Sequence, residues 1–215
     1  ENSFVNKYFV EIGYHHLEFN SIGLIESNFS GCLIDKGRTS NMIAMKLILL
    51  IIGKKIDVLQ RLITEKNISE CLKGKKIGSF SIDIDGNDYW IVKQMIESEI
   101  FPELILVEYN PSFLDNSVTV PYENNFDRFS KHESGFYHGA SLKAFYKLLK
   151  KFNYNLIKII GGTNAIFVNN DLLKKNGLKS YLPDQIYEEG VLRNKWSNTN
   201  AKKQFELIKH LPFVN

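Results

Sequence analysis

The chain contains little cysteine and proline and has no long apolar run. Its 215 residues include 2 cysteines and 5 prolines. Two cysteines cannot build a disulfide framework, so we expect a reducing compartment, namely the cytoplasm, or the host cytoplasm if the chain is viral. The longest apolar run, residues 42–52, is interrupted by Lys46 and is well short of the roughly 20 residues that a membrane helix needs. The sequence therefore excludes a disulfide-rich scaffold and predicts no membrane span.

A strong excess of one charge is also missing. The 27 basic and 24 acidic residues give a net charge of +3, which is too small to predict a nucleic-acid partner. With 44% hydrophobic and 24% charged residues, the composition is that of an ordinary globular protein of one domain. The chain begins with Glu rather than Met and shows no secretory leader. We therefore expect a domain of a longer protein.

Short β-rich runs alternate with helical patterns along the chain. Strands are predicted at 8–13, 32–35, 56–63, 77–84, 104–109, 156–160 and 165–168. Helices are predicted at 17–28, 39–52, 69–72, 87–98 and 140–152. This alternation is typical of an α/β fold, a mostly parallel seven-stranded sheet with helices on both faces, in which the last strand runs antiparallel.

Two regions do not follow the alternation. Residues 112–139 show no period and are predicted to form a lid or substrate segment, because loops of this length are usually functional or disordered. Residues 173–215 are predicted to be a polar tail with short helices, which leaves 1–172 as the main domain.

In a parallel sheet the ligand lies at the carboxyl ends of the strands, which singles out a few side chains. The first strand ends in Glu11 and Gly13, but His15 and His16 stand where a nucleotide-binding turn would have glycines. An ordinary strand-to-helix turn is the alternative. Asp35 follows Gly13 at about the 20-residue spacing of an acid that binds ribose hydroxyls; a solvated turn aspartate is the alternative.

The fourth predicted strand ends in a run of carboxylates. Asp83 and Asp85 are two residues apart and should leave the same face of an extended strand, and Glu108 should arrive beside them from the next strand. Oxygen ligands of this kind suit Mg²⁺ or Mn²⁺. The alternative is a capped turn, in which Asp85 or Asn87 is the helix N-cap and Asp88 complements the helix dipole.

The long segment contains further candidates. His138 directly precedes a helix and is a candidate general base, and His132 is a weaker one. Six aromatic residues could form either the core of a lid or a wall for a sugar ring: Phe113, Tyr122, Phe126, Phe129, Phe136 and Tyr137.

Several segments together resemble one known family, the FkbM-type methyltransferases. They are SIDIDGNDYW at 81–90, VEYNPSF at 107–113, VTVPY at 118–122, YHGASL at 137–142 and GTNAIFV at 162–168. The resemblance implies a Rossmann-like class I fold that binds S-adenosylmethionine and yields S-adenosylhomocysteine. It also implies O-methylation of a sugar or glycan hydroxyl, with Mg²⁺ or Mn²⁺ orienting the acceptor, and fusion to glycosyltransferase domains in a longer chain.

The resemblance also implies roles for particular positions. The implied cofactor residues are Glu11, Gly13, His15, Asp35, Thr64, Glu65 and Asp83. The implied metal ligands are Asp83, Asp85 and Glu108, and the implied catalytic residues are Asp83, Asp85 and His138. The histidine pair at 15–16 departs from the family pattern, so an inactive binding domain stays open as an alternative. An NAD-dependent oxidoreductase on a similar fold is the other alternative, although the chain lacks its glycine fingerprint.

Overall fold

Seven strands form one sheet in the computed structural model, which describes residues 4–215. Residues 1–3 of the predicted main domain lie outside the described residues. The strands are β1 (Tyr8–Ile12), β2 (Ser30–Asp35), β3 (Asp57–Gln60), β4 (Ser79–Ile82), β5 (Leu104–Glu108), β6 (Tyr154–Ile160) and β7 (Asn164–Asn169). The seven predicted strands are thus all present, several of them with shifted ends.

The order of the strands is β3-β2-β1-β4-β5-β7-β6. Neighbours among β1 to β5 pair in parallel, and β7 pairs antiparallel with both β5 and β6. The chain crosses over between β3 and β4, so the carboxyl ends of β1 and β4 lie side by side in the middle of the sheet. This arrangement is the Rossmann-like class I methyltransferase fold and confirms the predicted fold class.

Helices follow most strands. They are α1 (Ile22–Glu26), α2 (Thr39–Ile51), α3 (Ile68–Leu72), α4 (Asp88–Glu97), α5 (Arg128–Lys131), α6 (Leu142–Lys150), α7 (Asn170–Lys175), α8 (Pro183–Ile186), α9 (Val191–Ser197) and α10 (Ala201–Ile208), with a 3₁₀ turn at Pro111–Phe113. The helix predicted over 17–28 is much shorter than expected. His15 and Glu18 exchange backbone hydrogen bonds. Residues 15–18 therefore form a tight turn, and the helix begins only at Ile22.

Alternate strand residues pack into two separate cores, as a sheet covered on both faces requires. In β2, Leu33 packs with Met45 and Leu49 of α2. Its neighbours Cys32 and Ile34 belong to the larger cluster, which contains residues of α3, α4 and α6. The helices therefore cover both faces, as predicted from the alternation.

The C-terminal residues pack onto the long segment between β5 and α6. Ile208 of α10 joins a third buried cluster with Phe113, Val120, Phe126, Phe136 and Tyr137. The C-terminal residues thus contain the short helices α8 to α10 and contribute buried side chains to this cluster. No helix in the stretch 4–215 has the length and apolar character needed to cross a bilayer.

Candidate active site

The ends of β1, β2 and β4 meet at Gly13. Its N–H donates to the carbonyl of Ile34 at 2.9 Å, and the N–H of Asp83 donates to the carbonyl of Ile12 at 2.9 Å. Gly13 has φ +89°, and a Cβ there would lie 1.6 Å from the carbonyl oxygen of Asp83. Only glycine fits this position, because the two chain segments are in direct contact.

Glu11 holds the segment that follows Gly13. Its buried carboxylate accepts hydrogen bonds from the N–H groups of Asn20 at 2.7 Å and Ser21 at 2.8 Å. Burial raises the pKa of Glu11, and these hydrogen bonds act against the rise. Both oxygens thus bind the backbone just before α1, so Glu11 fixes the loop between Gly13 and α1.

The histidine pair sits in an ordered turn that takes the place of a glycine-rich loop. The N–H of His16 donates to Asn41 Oδ1 at 2.9 Å, and the His16 ring lies 2.7 Å from the same oxygen. Asn41 in turn donates to the carbonyl of Tyr14 at 3.3 Å. The first turn of α2 therefore fixes this loop without glycines, and the ring of His15 remains exposed at the edge of the cavity.

A cavity of about 810 Å³ runs along the carboxyl ends of the strands. This volume lies in the range of pockets for a small molecule or cofactor. It is lined by most of the predicted cofactor residues, namely Glu11, Gly13, His15, Asp35, Thr64 and Asp83, and also by Asp85. Glu65 is not among the described residues that line it. The fold thus brings residues from four strand ends to one cavity.

At the β2 end of this cavity, Asp35 is half-buried. One oxygen accepts a hydrogen bond from the N–H of Gly37 at 2.5 Å, which fixes the rotation of the side chain. Burial raises the pKa of Asp35, against the lowering effects of that hydrogen bond and of Lys36. The carboxylate is therefore held at the cavity wall.

The expectation that Asp83 and Asp85 share a face of an extended strand is wrong. β4 ends at Ile82, and Asp85 has φ +58°, so the chain turns between the two acids. Asp88 shapes this turn: its buried carboxylate accepts from the N–H groups of Ile84 at 2.8 Å and Gly86 at 2.9 Å. Burial raises the pKa of Asp88 to about 6. Asp88 is thus structural, as the capped-turn alternative proposed, although Asn87 occupies the N-cap without a side-chain cap.

Asp85 and Glu108 lie together with His138. One potential ligand atom from each of these three residues lies within 4.8 Å of the other two. Asp83 lies beside them, and burial together with the charge of Glu108 raises the pKa of Asp83 to about 9. Burial also raises the pKa of Glu108, to about 7. Asp85, Glu108 and His138 are called the metal-spaced group below. It contains His138 where the sequence analysis expected Asp83.

His138 is deeply buried beside these acids, with 2% of its surface exposed. Burial first, and nearby arginines second, hold the pKa of His138 well below its usual range, so its imidazole is neutral. Its backbone carbonyl accepts from Asn110 Nδ2 at 2.8 Å, and Asn110 also holds the carbonyl of Phe136 at 2.7 Å. These hydrogen bonds hold the backbone around His138, and a neutral imidazole can accept a proton or bind a metal ion.

Two arginines that sequence reasoning missed also belong to this site. Arg128 of α5 donates to Asp85 at 2.5 Å. Arg193 of α9 contacts Glu108 at 3.3 Å and Asn110 Oδ1 at 2.8 Å. Both come from the two regions without a regular pattern. The sequence offered no signal for them, because an arginine in a polar segment usually faces solvent.

Three buried side-chain atoms within residues 4–215 have no hydrogen-bond partner: Arg128 Nε, His138 Nε2 and Asn164 Oδ1. Asn164 lies opposite Glu108 in the β5–β7 register and lines the cavity. All three atoms thus belong to residues around the acidic cluster of Asp83, Asp85 and Glu108. Buried polar atoms normally have partners, so their concentration here indicates a binding place for a polar ligand.

The aromatic residues of the long segment divide between a buried core and the cavity, except Phe129, which is exposed. Phe113, Phe126, Phe136 and Tyr137 are buried in the cluster that α10 completes. Tyr122 and Phe126 also line the cavity, and a Cβ on Gly86 would lie 2.3 Å from the Phe126 ring. The segment therefore packs directly on the acidic turn and forms one wall of the site.

Neither a protein family model nor a curated protein matches this chain. Solved structures match at low identity. The N-terminal domain of EvdMO1 with S-adenosylhomocysteine bound has a TM-score of 0.48 at 10% identity, over 78% of this chain and 76% of that one. The S-adenosylhomocysteine-bound methyltransferase PaMTH1 of Podospora anserina gives 0.48 at 11%, over 76% and 72%. A S-adenosylmethionine-dependent methyltransferase from Clostridium acetobutylicum ATCC 824 gives 0.46 at 12%, over 78% and 86%.

Proposed function

We propose that this chain is an S-adenosylmethionine-dependent O-methyltransferase that acts on a hydroxyl group of a sugar or glycan. One observation carries the proposal: a single cavity joins Asp35, at the end of β2, to Asp83 and Asp85, after β4. The candidate acid for the ribose and the two acids after β4 thus line the same space. The FkbM-like sequence segments and the strand order support the same activity.

In this proposal the cofactor lies along the ends of β1 to β3. Asp35 accepts hydrogen bonds from the ribose hydroxyls, and the Gly13 turn lets the backbone approach the cofactor closely. Thr64 lines the side where the adenine belongs, and Asp83 faces the amino group of the methionine portion. Glu11 acts indirectly, by holding the loop after Gly13.

The acceptor lies on the Asp85 side of the cavity. Tyr122 and Phe126 offer apolar ring surface there, and Asn125 and Asn164 offer amides. Aromatic faces next to carboxylates and amides suit a sugar, whose ring has apolar C–H faces and a rim of hydroxyl groups. This combination of side chains is the reason for choosing a sugar rather than a flat aromatic acceptor.

The chemistry needs few groups from the protein. The bound cofactor supplies a methyl group on a positively charged sulfur. The acceptor oxygen forms the new C–O bond as the C–S bond breaks, and S-adenosylhomocysteine is the product. The chain holds the oxygen in line with the methyl carbon, which can contribute up to about 7–11 kcal/mol. His138 or Asp85 takes the hydroxyl proton.

Two kinds of positive charge can orient the acceptor within this proposal. A divalent cation such as Mg²⁺ or Mn²⁺ at Asp85, Glu108 and His138 would polarise the acceptor oxygens, and the three ligand atoms lie close enough together to share one ion. The other source is the pair of guanidinium groups already in contact with the same two carboxylates. The spacing of the three ligand atoms thus fits one ion, but the carboxylates of Asp85 and Glu108 already contact Arg128 and Arg193.

The NAD-dependent oxidoreductase is not favoured, because the usual dinucleotide-binding sheet has the order 3-2-1-4-5-6 and no strand like β7. Three other expectations stay predictions. They are the domain boundary between residues 172 and 173, the cytoplasmic location, and the fusion to glycosyltransferase domains.

Calorimetric titration with S-adenosylhomocysteine tests the cofactor half of the proposal. We expect micromolar binding by the wild-type chain and a loss of affinity of about 10–100-fold in Asp35→Ala, because two hydrogen bonds to a charged group are removed. Asp57→Ala is the matched control, since Asp57 lies at the amino end of β3, whereas the cavity lies at the carboxyl ends of the strands. No binding by the wild-type chain would contradict the proposal and favour a binding domain without cofactor.

A further inference from the structure

Two positive charges reach the acidic cluster from outside the sheet. Arg128 belongs to α5 in the long segment, and Arg193 belongs to α9 in the C-terminal region. Arg128 contacts Asp85 at 2.5 Å and Arg193 contacts Glu108 at 3.3 Å, so each carboxylate of the metal-spaced group has its own guanidinium. Separate chain segments thus deliver one arginine to each acid.

The structure holds Arg193 firmly in place. Only 14% of its side chain is exposed, and 15% of Glu108. The backbone just before α9 is tied down at two points, because the hydroxyl of Tyr109 donates to the carbonyl of Glu188 at 2.7 Å and that of Tyr187 donates to the carbonyl of Pro111 at 2.7 Å. The guanidinium of Arg193 is therefore held against Glu108 and Asn110.

Arg128 is also fixed by its surroundings. Asp127 caps α5 by accepting from the N–H of Ser130 at 2.7 Å, which sets the direction of the first turn. On the same segment, Phe126 packs against Gly86, one residue after Asp85. The packing of this segment therefore places the guanidinium of Arg128 beside Asp85. The buried Nε of Arg128 has no hydrogen-bond partner within the described part of the chain.

These arginines compete with a metal ion for the same carboxylates. A guanidinium stays protonated at any ordinary pH, so each acid has a permanent positive neighbour. A divalent ion bound to Asp85 and Glu108 would lie a few ångströms from two such charges. The repulsion is strongest from Arg193 at Glu108, whose side chain is 15% exposed, and weaker from Arg128 at Asp85, whose side chain is 59% exposed. A resident ion therefore does not fit the group as it stands, which disagrees with the metal expected from the sequence.

We propose that Arg128 and Arg193 are the built-in counter-cations of the acidic cluster, and that they orient Asp85 and Glu108 for acceptor hydroxyls without a resident divalent ion. The acceptor part of this statement rests on the proposed function, whereas the counter-cation part does not. The two arginines are positioning residues, because they act through the carboxylates. His138, buried with an Nε2 that has no partner within the described residues, completes the group with the two acids.

Titration with Mn²⁺ alone tests the counter-cation role, by calorimetry and by the electron paramagnetic resonance signal of free Mn²⁺. We expect wild-type binding in the millimolar range or weaker. Arg193→Gln and Arg128→Gln should each bind Mn²⁺ at least about tenfold more tightly, because one repulsive charge is removed. A purely structural role predicts the opposite, since a disturbed site would lose affinity.

Three controls make the result specific. Arg193→Lys keeps the charge and should bind Mn²⁺ as weakly as the wild-type chain. Lys195→Gln removes an exposed charge from the same helix and should change Mn²⁺ affinity less than twofold. Thermal unfolding checks each variant, and Arg128→Gln carries the test alone if Arg193→Gln does not fold.

Two outcomes would overturn the proposal: micromolar Mn²⁺ binding by the wild-type chain that the variants keep or lose, or no gain of affinity in either glutamine variant. None of these measurements needs the cofactor. A wild-type chain that fails to bind S-adenosylhomocysteine would thus count against the proposed function alone, and the Mn²⁺ results would still decide the role of the arginines.

Discussion

Gly13→Ala is expected to destabilise the chain by several kcal/mol and to abolish binding of S-adenosylhomocysteine. The φ of +89° by itself costs a residue with a Cβ about 1–3 kcal/mol. The added Cβ would also lie 1.6 Å from the Asp83 carbonyl oxygen, so the ends of β1 and β4 would have to separate. That movement would open the cavity between them. Thermal unfolding and calorimetric titration measure the two effects.

Gly23→Ala is the matched control for this prediction. Gly23 lies in α1, close in sequence to Gly13, and its φ is not positive. A Cβ there meets nothing within 4 Å. Alanine is favoured over glycine in a helix by about 1 kcal/mol, so this variant should be as stable as the wild-type chain or more so. A folded Gly13→Ala protein with normal affinity would show that this contact does not shape the cofactor site.

Asp83→Asn is expected to reduce methyl transfer at least 100-fold while leaving the fold intact. Asp83 lines the cavity beside Asp85 and Glu108, so the proposed reaction depends on its carboxyl group. Burial and the neighbouring Glu108 raise the pKa of Asp83, which favours its uncharged form, and an amide of the same size replaces that form with little cost in stability. Formation of S-adenosylhomocysteine with a panel of simple sugar glycosides measures the activity.

Asp57→Asn serves again as the control, because it removes an exposed carboxylate far from the cavity and should leave both activity and stability unchanged. Asp88→Asn should behave differently from Asp83→Asn. It disturbs two hydrogen bonds that shape the turn before α4, so its main effect should be a lower midpoint of thermal unfolding. Unchanged methyl transfer in a folded Asp83→Asn protein would contradict the proposed role of Asp83, whereas no methyl transfer by the wild-type chain would favour the inactive binding domain.

The local turn chemistry was harder to predict than the strands. The pattern placed Asp83 and Asp85 on one face, but Asp85 adopts a positive φ because Asp88 draws the N–H groups of Ile84 and Gly86 toward itself. Likewise, the tight turn at His15 shortened the predicted helix over 17–28. Such turns depend on individual side-chain hydrogen bonds, which hydrophobic periodicity does not report.

The metal-spaced group of Asp85, Glu108 and His138 could be predicted from the sequence only in part. Asp85 and Glu108 could be paired from the sequence, because parallel strand ends share one edge of a sheet. His138 was recognised as a candidate base, yet nothing in its neighbourhood indicated that it would lie within 4.8 Å of those acids. Its place depends on Asn110, which binds the carbonyls on either side of Tyr137 from the end of β5.

By itself, the sequence determined the seven strands, the α/β class and the acids at the ends of β2, β4 and β5, because apolar periodicity and strand-end position are local properties of the chain. Only the tertiary structure decided that Arg128 and Arg193 meet those acids. Arg193 lies 85 positions from Glu108 in the chain, and no local pattern encodes a contact over that distance. The packing of the C-terminal helices on the long segment creates it.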